Sequence, residues 1–276
     1  AIKNSIINNF SILTGGPGTG KTTIILAIIK VFQKLNNYSL SDLQDETKSI
    51  LTLCAPTGKA AKRMAESTGL YASTIHKAIG WTVEDENMEE FVSEKRIKSE
   101  LIIIDETSMI DVFLMYNLLK IIHPDAKILL VGDNDQLPSI APGNVLNDLI
   151  NARVIPTVKL NKVFRQSEHS SIINISHSIR NNIPFDILEN FDDKEFLLAT
   201  KNEVLDVITT TYDSILKESK KEKIQILAPI YKGGVGINEI NKTIQTLFNQ
   251  NKLQVEYGDL IYKVDDRVMQ LVNRPE

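Results

Sequence analysis

Gly15-Gly16-Pro17-Gly18-Thr19-Gly20-Lys21-Thr22-Thr23 is the stretch of this chain best equipped for chemistry. From Gly15 to Thr22 it fits the G-x-x-x-x-G-K-[ST] pattern of a phosphate-binding loop. Glycines let a backbone curl until successive N–H groups aim at a polyphosphate, and a following helix adds the positive end of its dipole. Gly16, Pro17, Gly18, Thr19, Gly20, Lys21, Thr22 and Thr23 are therefore the expected nucleotide-binding residues. Lys21 would reach the β- and γ-phosphates, and the Thr22 hydroxyl would ligate Mg²⁺, so ATP and Mg²⁺ are the expected ligands.

A second signal is the acid pair Asp105-Glu106, which ends the apolar run Leu101-Ile102-Ile103-Ile104. In doubly wound α/β sheets, ligands sit at the carboxyl ends of strands. Asp105 would hold Mg²⁺ through water, and Glu106 would polarise an attacking water as general base. Gly132-Asp133-Asn134-Asp135-Gln136-Leu137-Pro138-Ser139 leaves a further apolar run. The Gln136 amide can donate to a γ-phosphate and orient water. Plainer readings stand beside each of these: a ligand-free turn, an acidic helix cap, an exposed glutamine. Lys59, Lys62 and Arg63 crowd a helix start after Ala55-Pro56-Thr57-Gly58, either as a solvated basic face or as a grip on a phosphate backbone. His76 has no Cys or carboxylate at a zinc-like spacing, so no metal is expected there.

These groups need a scaffold. Apolar runs at 10–13, 50–54, 101–104 and 127–131 read as strands buried on both faces. Helical stretches at 22–32, 59–67, 112–122 and up to Leu149 alternate with them, which predicts a parallel sheet covered by helices on both sides. Residues 36–48 read as a polar surface loop, and 82–99 as a small insertion, a hairpin. A second unit is expected to begin near Pro156, with 158–160 as its first strand. Further strands are expected at 196–198, 224–227, 260–262 and 268–272, the last two with period-two burial. Helices are expected at 170–179, 204–216 and 237–248.

With 276 residues, the chain is long enough for one large domain or two ordinary ones. Hydrophobic content of 42% and charged content of 24% fit a soluble globular protein. Its single cysteine, Cys54, excludes an intrachain disulfide and reads as a buried thiol. No stretch is apolar enough to span a membrane and no basic leader is seen, so a cytoplasmic location is expected. A net charge of −4 does not announce a nucleic-acid binder, yet phosphate contacts need only a local basic stripe. The first residue is Ala1 rather than Met, as expected of a piece of something longer.

The order of signals adds more than any one of them. The phosphate loop is followed by Ala55-Pro56-Thr57-Gly58-Lys59-Ala60-Ala61 and Ser73-Thr74-Ile75-His76. Ile104-Asp105-Glu106-Thr107-Ser108-Met109, the Gly132 to Ser139 string and Val163-Phe164-Arg165-Gln166 come next. This series resembles superfamily 1 DNA helicases of the RecD-like branch. The resemblance implies two RecA-like P-loop NTPase domains with parallel sheets flanked by helices, the second incomplete. Residues 1–155 would form the first, with 82–99 as a pin-like insertion, and 156–276 the second. It further implies ATP between the domains, single-stranded DNA and duplex junctions as partners, 5′ to 3′ movement, and a role in DNA repair or recombination. Pro56, Thr57, Lys59, Thr74 and His76 would contact DNA. Lys21, Glu106, Gln136 and Arg165 would be the catalytic set, with Gln136 coupling the γ-phosphate to DNA and Arg165 reaching it from the second domain. Gly236-Ile237-Asn238 and Gln245 match a later motif. Family members place an adenine-reading Gln just before the position of Ala1 and continue past Glu276 with an arginine-bearing motif. A fragment that binds nucleotide and hydrolyses it poorly is thus expected. Another P-loop ATPase, and a nucleotide-binding DNA-interaction module without turnover, are the alternatives.

Overall fold

The computed structural model describes residues 1–81, 95–162, 170–186, 189, 191–218, 224–258 and 260–268. The chain divides into two units, Ala1–His169 and Ser170–Glu276. The first unit opens with α1 (Ile2–Ile7), β1 (Phe10–Gly15), α2 (Lys21–Leu35), α3 (Leu40–Gln44) and β2 (Leu51–Ala55). It continues with α4 (Gly58–Thr68), β3 (Ser73–Thr74), α5 (Ile75–Ile79) and β4 (Leu101–Ile104). A 3-10 turn (Thr107–Met109), α6 (Val112–Ile121), β5 (Lys127–Gly132), α7 (Val145–Ala152) and β6 (Thr157–Leu160) complete it.

The six strands form one sheet in the order β3-β2-β4-β5-β1-β6, and every pairing is parallel. This is the helix-flanked parallel sheet of the expected RecA-like class. Alternate strand residues face opposite sides. Ile12, Ile102, Ile104 and Leu130 pack on one side with Ile75 and Ile79 of α5 and Leu114, Leu118 and Ile121 of α6. Leu13, Ile103, Leu129 and Val131 pack on the other with Ile25, Ile28 and Phe32 of α2 and Met64 of α4. Two covered faces explain why the central strands read as unbroken apolar runs. Each fully buried Ile or Leu contributes about 1.5–3 kcal/mol relative to exposure. Cys54 is buried as expected, and burial pushes its thiol pKa up to about 12.

Two local expectations are corrected. Within 36–48, Ser39 accepts a hydrogen bond from Asp42 N–H and Asp42 bonds back to Ser39 N–H, a capping box that starts α3. The helix then buries Leu43 in the core. Residues 158–160, expected as the first strand of the second unit, instead lie in β6, which joins the first sheet beside β1, with Ile12 opposite Thr157 and Gly15 opposite Leu160. An unpaired β1 would expose a row of backbone donors and acceptors, and β6 satisfies them. Most of the insertion expected at 82–99 lies outside the described residues. Of its end, buried Ile97 forms an isolated parallel bridge with Ile122.

The second unit contains α8 (Ser171–Asn181), α9 (Val204–Glu218), α10 (Ile237–Phe248), β7 (Gln254–Tyr257) and β8 (Leu260–Lys263). β7 and β8 pair antiparallel, Gln254 opposite Lys263. Tyr212 of α9 and Phe248 of α10 meet with ring centroids 4.9 Å apart. The runs at 196–198 and 224–227 carry no strand assignment, and 269–272 lie outside the described residues. Leu260, Ile261 and Tyr262 are all exposed, so β8 lacks the period-two burial expected of it.

Candidate nucleotide and DNA site

Because all the strands of the first sheet run parallel, their carboxyl ends share one edge. Thr14 of β1 lies opposite Gly132 of β5, and Ile104 of β4 opposite Leu130. The phosphate loop, the Asp105-Glu106 pair and the turn containing Gln136 therefore leave the sheet on the same side. Pro56 and Thr57 follow β2 at that edge, and Thr74 ends β3. The strings read as nucleotide-handling follow the neighbouring strands β1, β5 and β4, and those read as DNA-contacting follow β2 and β3. Arg165 lies outside the described residues.

The loop is shaped by close approach. A Cβ on Gly15 would stand 2.8 Å from Thr19 Oγ1 and 2.9 Å from Leu160 Cβ, so no side chain fits there. Gly18 and Gly20 take φ values of 76° and 86°, a region that favours glycine. Buried Thr19 donates from Oγ1 to Gly16 O at 2.8 Å and locks the curl. Gly20 caps α2 without a side-chain hydrogen bond, and no acidic residue occupies the first turn. The first N–H groups of a 15-residue helix thus meet whatever binds at the loop. Lys21 Nζ donates to Gly15 O at 2.6 Å and Gly16 O at 3.1 Å, which holds the ammonium over the loop. A polyphosphate fits this cradle of backbone donors and one cation.

Asp105 sits at the mouth of β4. Burial pushes its carboxyl pKa up, a hydrogen bond from Glu106 N–H (2.9 Å) draws it down, the Glu106 charge raises it, and the Lys21 ammonium lowers it. The net direction is upward, because burial outweighs the other contributions. A carboxylate and a hydroxyl are oxygen donors of the kind Mg²⁺ takes, and Asp105 and the exposed Thr22 would offer them. Glu106 adopts φ 54°, a left-handed conformation rare for a side-chain-bearing residue. Next to it, Thr107 Oγ1 donates to Val131 O at 2.9 Å, and Gly132 leaves the space for it: a Cβ there would be 2.6 Å from that oxygen.

Gln136 is exposed on a turn in which its own N–H donates to Asp133 O at 3.2 Å and Asp135 N–H to Asp133 Oδ1 at 3.1 Å. The turn is tied to β1 by contacts that sequence reading missed. Thr14 Oγ1 donates to Asn134 Oδ1 at 2.9 Å and accepts from Asn134 N–H at 3.4 Å. Asn147 Nδ2 of α7 also donates to Asn134 O, at 3.2 Å. The available signal was a hydroxyl at the end of a buried strand, one residue before the loop glycines.

The candidate DNA contacts have structural duties as well. Thr57 Oγ1 caps α4 by accepting from Ala60 N–H at 3.3 Å, and Thr74 Oγ1 caps α5 by accepting from Lys77 N–H at 3.2 Å. Each hydroxyl retains a proton to donate. Lys59 is exposed, with Lys62 and Arg63 beside it on α4. The His76 ring packs edge-on against Trp81, centroids 5.2 Å apart. Burial holds its pKa down, partly opposed by the Asp111 carboxylate, which favours the neutral imidazole. A neutral ring can still donate a hydrogen bond to a phosphate.

A protein family described as "AAA domain" matches residues 1–142. The ATP-dependent RecD2 DNA helicase of Deinococcus radiodurans is 33% identical over 262 residues, covering 95% of this chain and 34% of that protein. The RecBCD enzyme subunit RecD of Mycolicibacterium smegmatis is 32% identical over 186 residues, covering 60% of this chain and 33% of that one. The chain thus spans about a third of the length of these curated relatives. Among solved structures, the Pif1 helicase of Candida albicans aligns over 78% of this chain and 53% of its own, with 21% identity and a TM-score of 0.49. The resemblance to RecD-like helicases read from the motif series is borne out by relatives of that name.

Proposed function

Since the chain belongs to the AAA domain family, we propose that it is the ATP-hydrolysing core of a RecD-like DNA helicase, moving 5′ to 3′ on single-stranded DNA. The observation that carries this is the convergence at one sheet edge of the Lys21 loop and the Asp105-Glu106 pair, which leave β1 and β4, both paired in parallel with β5. In this reading, α2 and the loop N–H groups hold the phosphates, and Lys21 leaves the Gly15 and Gly16 carbonyls for them. Thr22 and Asp105 would hold Mg²⁺, which would supply positive charge to the phosphates. Glu106 takes the proton of the attacking water. Gln136 orients the γ-phosphate, and Arg165 adds positive charge to it. Pro56, Thr57, Lys59, Thr74 and His76 hold the DNA backbone at the neighbouring strands β2 and β3. Loss of the γ-phosphate contacts would then be felt where DNA is gripped. Repair or recombination at duplex junctions, with protein partners, in the cytoplasm, is the setting this activity suits.

Steady-state ATP hydrolysis with and without single-stranded DNA, on the full-length protein and its Glu106→Gln variant, tests it. Wild type should be stimulated by DNA, and Glu106→Gln should bind ATP yet turn over at least about 100-fold more slowly. DNA-independent turnover would point to another P-loop ATPase, and DNA binding without turnover to a passive module.

A further inference from the structure

We propose that Thr14 and Asn134 are positioning residues that make the phosphate loop and the Gln136 turn respond to nucleotide as one unit. This role presupposes the ATPase activity proposed above. Thr14 is one residue before Gly15, and its single hydroxyl makes two bonds to Asn134, donating at 2.9 Å and accepting at 3.4 Å. At 1% exposure, it is out of reach of competing water. Asn134 in turn stands two residues before Gln136. Strand β5, from which the turn leaves, is held separately by Thr107 Oγ1, which donates to Val131 O in the space Gly132 leaves open. A third tie is Lys159 of β6, 3.9 Å from Asp135.

Gln136 gains its reach from this clasp. An amide on an exposed turn can meet a γ-phosphate at hydrogen-bond distance only if its backbone is fixed relative to that phosphate. Thr14 supplies that reference directly, because the chain runs from it without a break into the loop that holds the phosphates. A shift of Gly15 and Gly16 on nucleotide binding or release passes to Asn134 through the two hydrogen bonds, and from there to Gln136. Neither Thr14 nor Asn134 needs to touch ATP or DNA. Both differ in this from Lys21, Glu106 and Gln136.

The experiment compares Thr14→Val, Thr14→Ser, Asn134→Ala and the Thr14→Val/Asn134→Ala double variant in the full-length protein, by ATP hydrolysis at saturating single-stranded DNA. Thr14→Val and Asn134→Ala should each lower kcat about tenfold while KM for ATP stays within about twofold. The double variant should be no worse than either single one, because both remove one link. Thr14→Ser, which keeps the hydroxyl, should restore kcat. A purely structural tie would instead lower the melting temperature without this split between kcat and KM. Should Thr14→Val not fold, Asn134→Ala, on a half-buried residue, gives the same answer. Additive losses, an effect on KM alone, or an unchanged kcat in an enzyme that DNA stimulates would overturn the link and leave the ATPase role standing. A wild type without DNA-stimulated turnover would overturn both.

Discussion

Strand β4 in the first unit and strand β8 in the second are both four-residue runs, Leu-Ile-Ile-Ile and Leu-Ile-Tyr-Lys, rich in the same residue types. All four residues of β4 are 0% exposed, whereas Leu260, Ile261 and Tyr262 of β8 are 55%, 45% and 40% exposed. β4 has a strand on each side and helices on both faces, while among the described residues β8 has one antiparallel partner. The contrast extends to the units. Among the described residues of the second, the buried side chains are Ser171, Tyr212, Ile240 and Asn249. What joins β8 to α10 there is polar: Asp266 accepts from Gln245 Nε2 at 2.5 Å, Asn249 Nδ2 at 2.7 Å and Lys263 N–H at 2.7 Å. Apolar content alone does not bury a strand; partners on both faces make it a core.

The contrast can be broken by substitution. Ile103→Ala, in the middle of the covered sheet, should cost about 2–5 kcal/mol in urea unfolding. Leu227→Ala, at an 85% exposed position of the second unit, should change stability by no more than about 0.5 kcal/mol. Similar costs at the two positions would erase the distinction. Lys21→Ala should weaken ATP binding roughly 100-fold, about 3 kcal/mol, with the circular dichroism spectrum unchanged. Calorimetric titration with ATP reads the loss, and tight residual binding would move the phosphate contacts elsewhere.

Asp105→Asn should act in the opposite sense, raising the stability of the first unit by about 0.5–2 kcal/mol at pH 7 while abolishing turnover. It removes a half-buried charge that burial already disfavours, and a drop in melting temperature would contradict that. The smallest effect belongs to the second unit. Burial raises the Asp266 pKa, but hydrogen bonds from Lys263 N–H, Asn249 and Gln245 outweigh it and hold the value below the ordinary 3.8. Its contribution to folding is therefore present above about pH 4 and lost as pH falls through the depressed value. Amide exchange around 249–266 should speed up in that acid range, and Asp266→Asn should remove the pH dependence. Unchanged exchange would mean that the polar ties hold nothing.

Some of this was legible from residue order alone. Contiguous apolar runs announced β1, β2, β4 and β5, because strands covered on both faces have no polar side to alternate with. The Gly-rich spacing announced the loop, since only glycine takes the backbone of Gly18 and Gly20 and permits the approach of Thr19 and Leu160 to Gly15. Other features depend on what lies across the sheet. β6 reads like the start of a new unit until β1 is seen to need a partner. The capping box of α3 was visible in the spacing of Ser39 and Asp42, yet polar composition masked it.

Residue types and their spacing determined that this chain has a phosphate cradle, an acid pair and a glutamine turn. Only the tertiary structure decided that the three share an edge and that Thr14 ties the first to the third. The reason is geometric: strand direction and register put residues 120 positions apart within 2.9 Å, and no local pattern encodes which strands become neighbours.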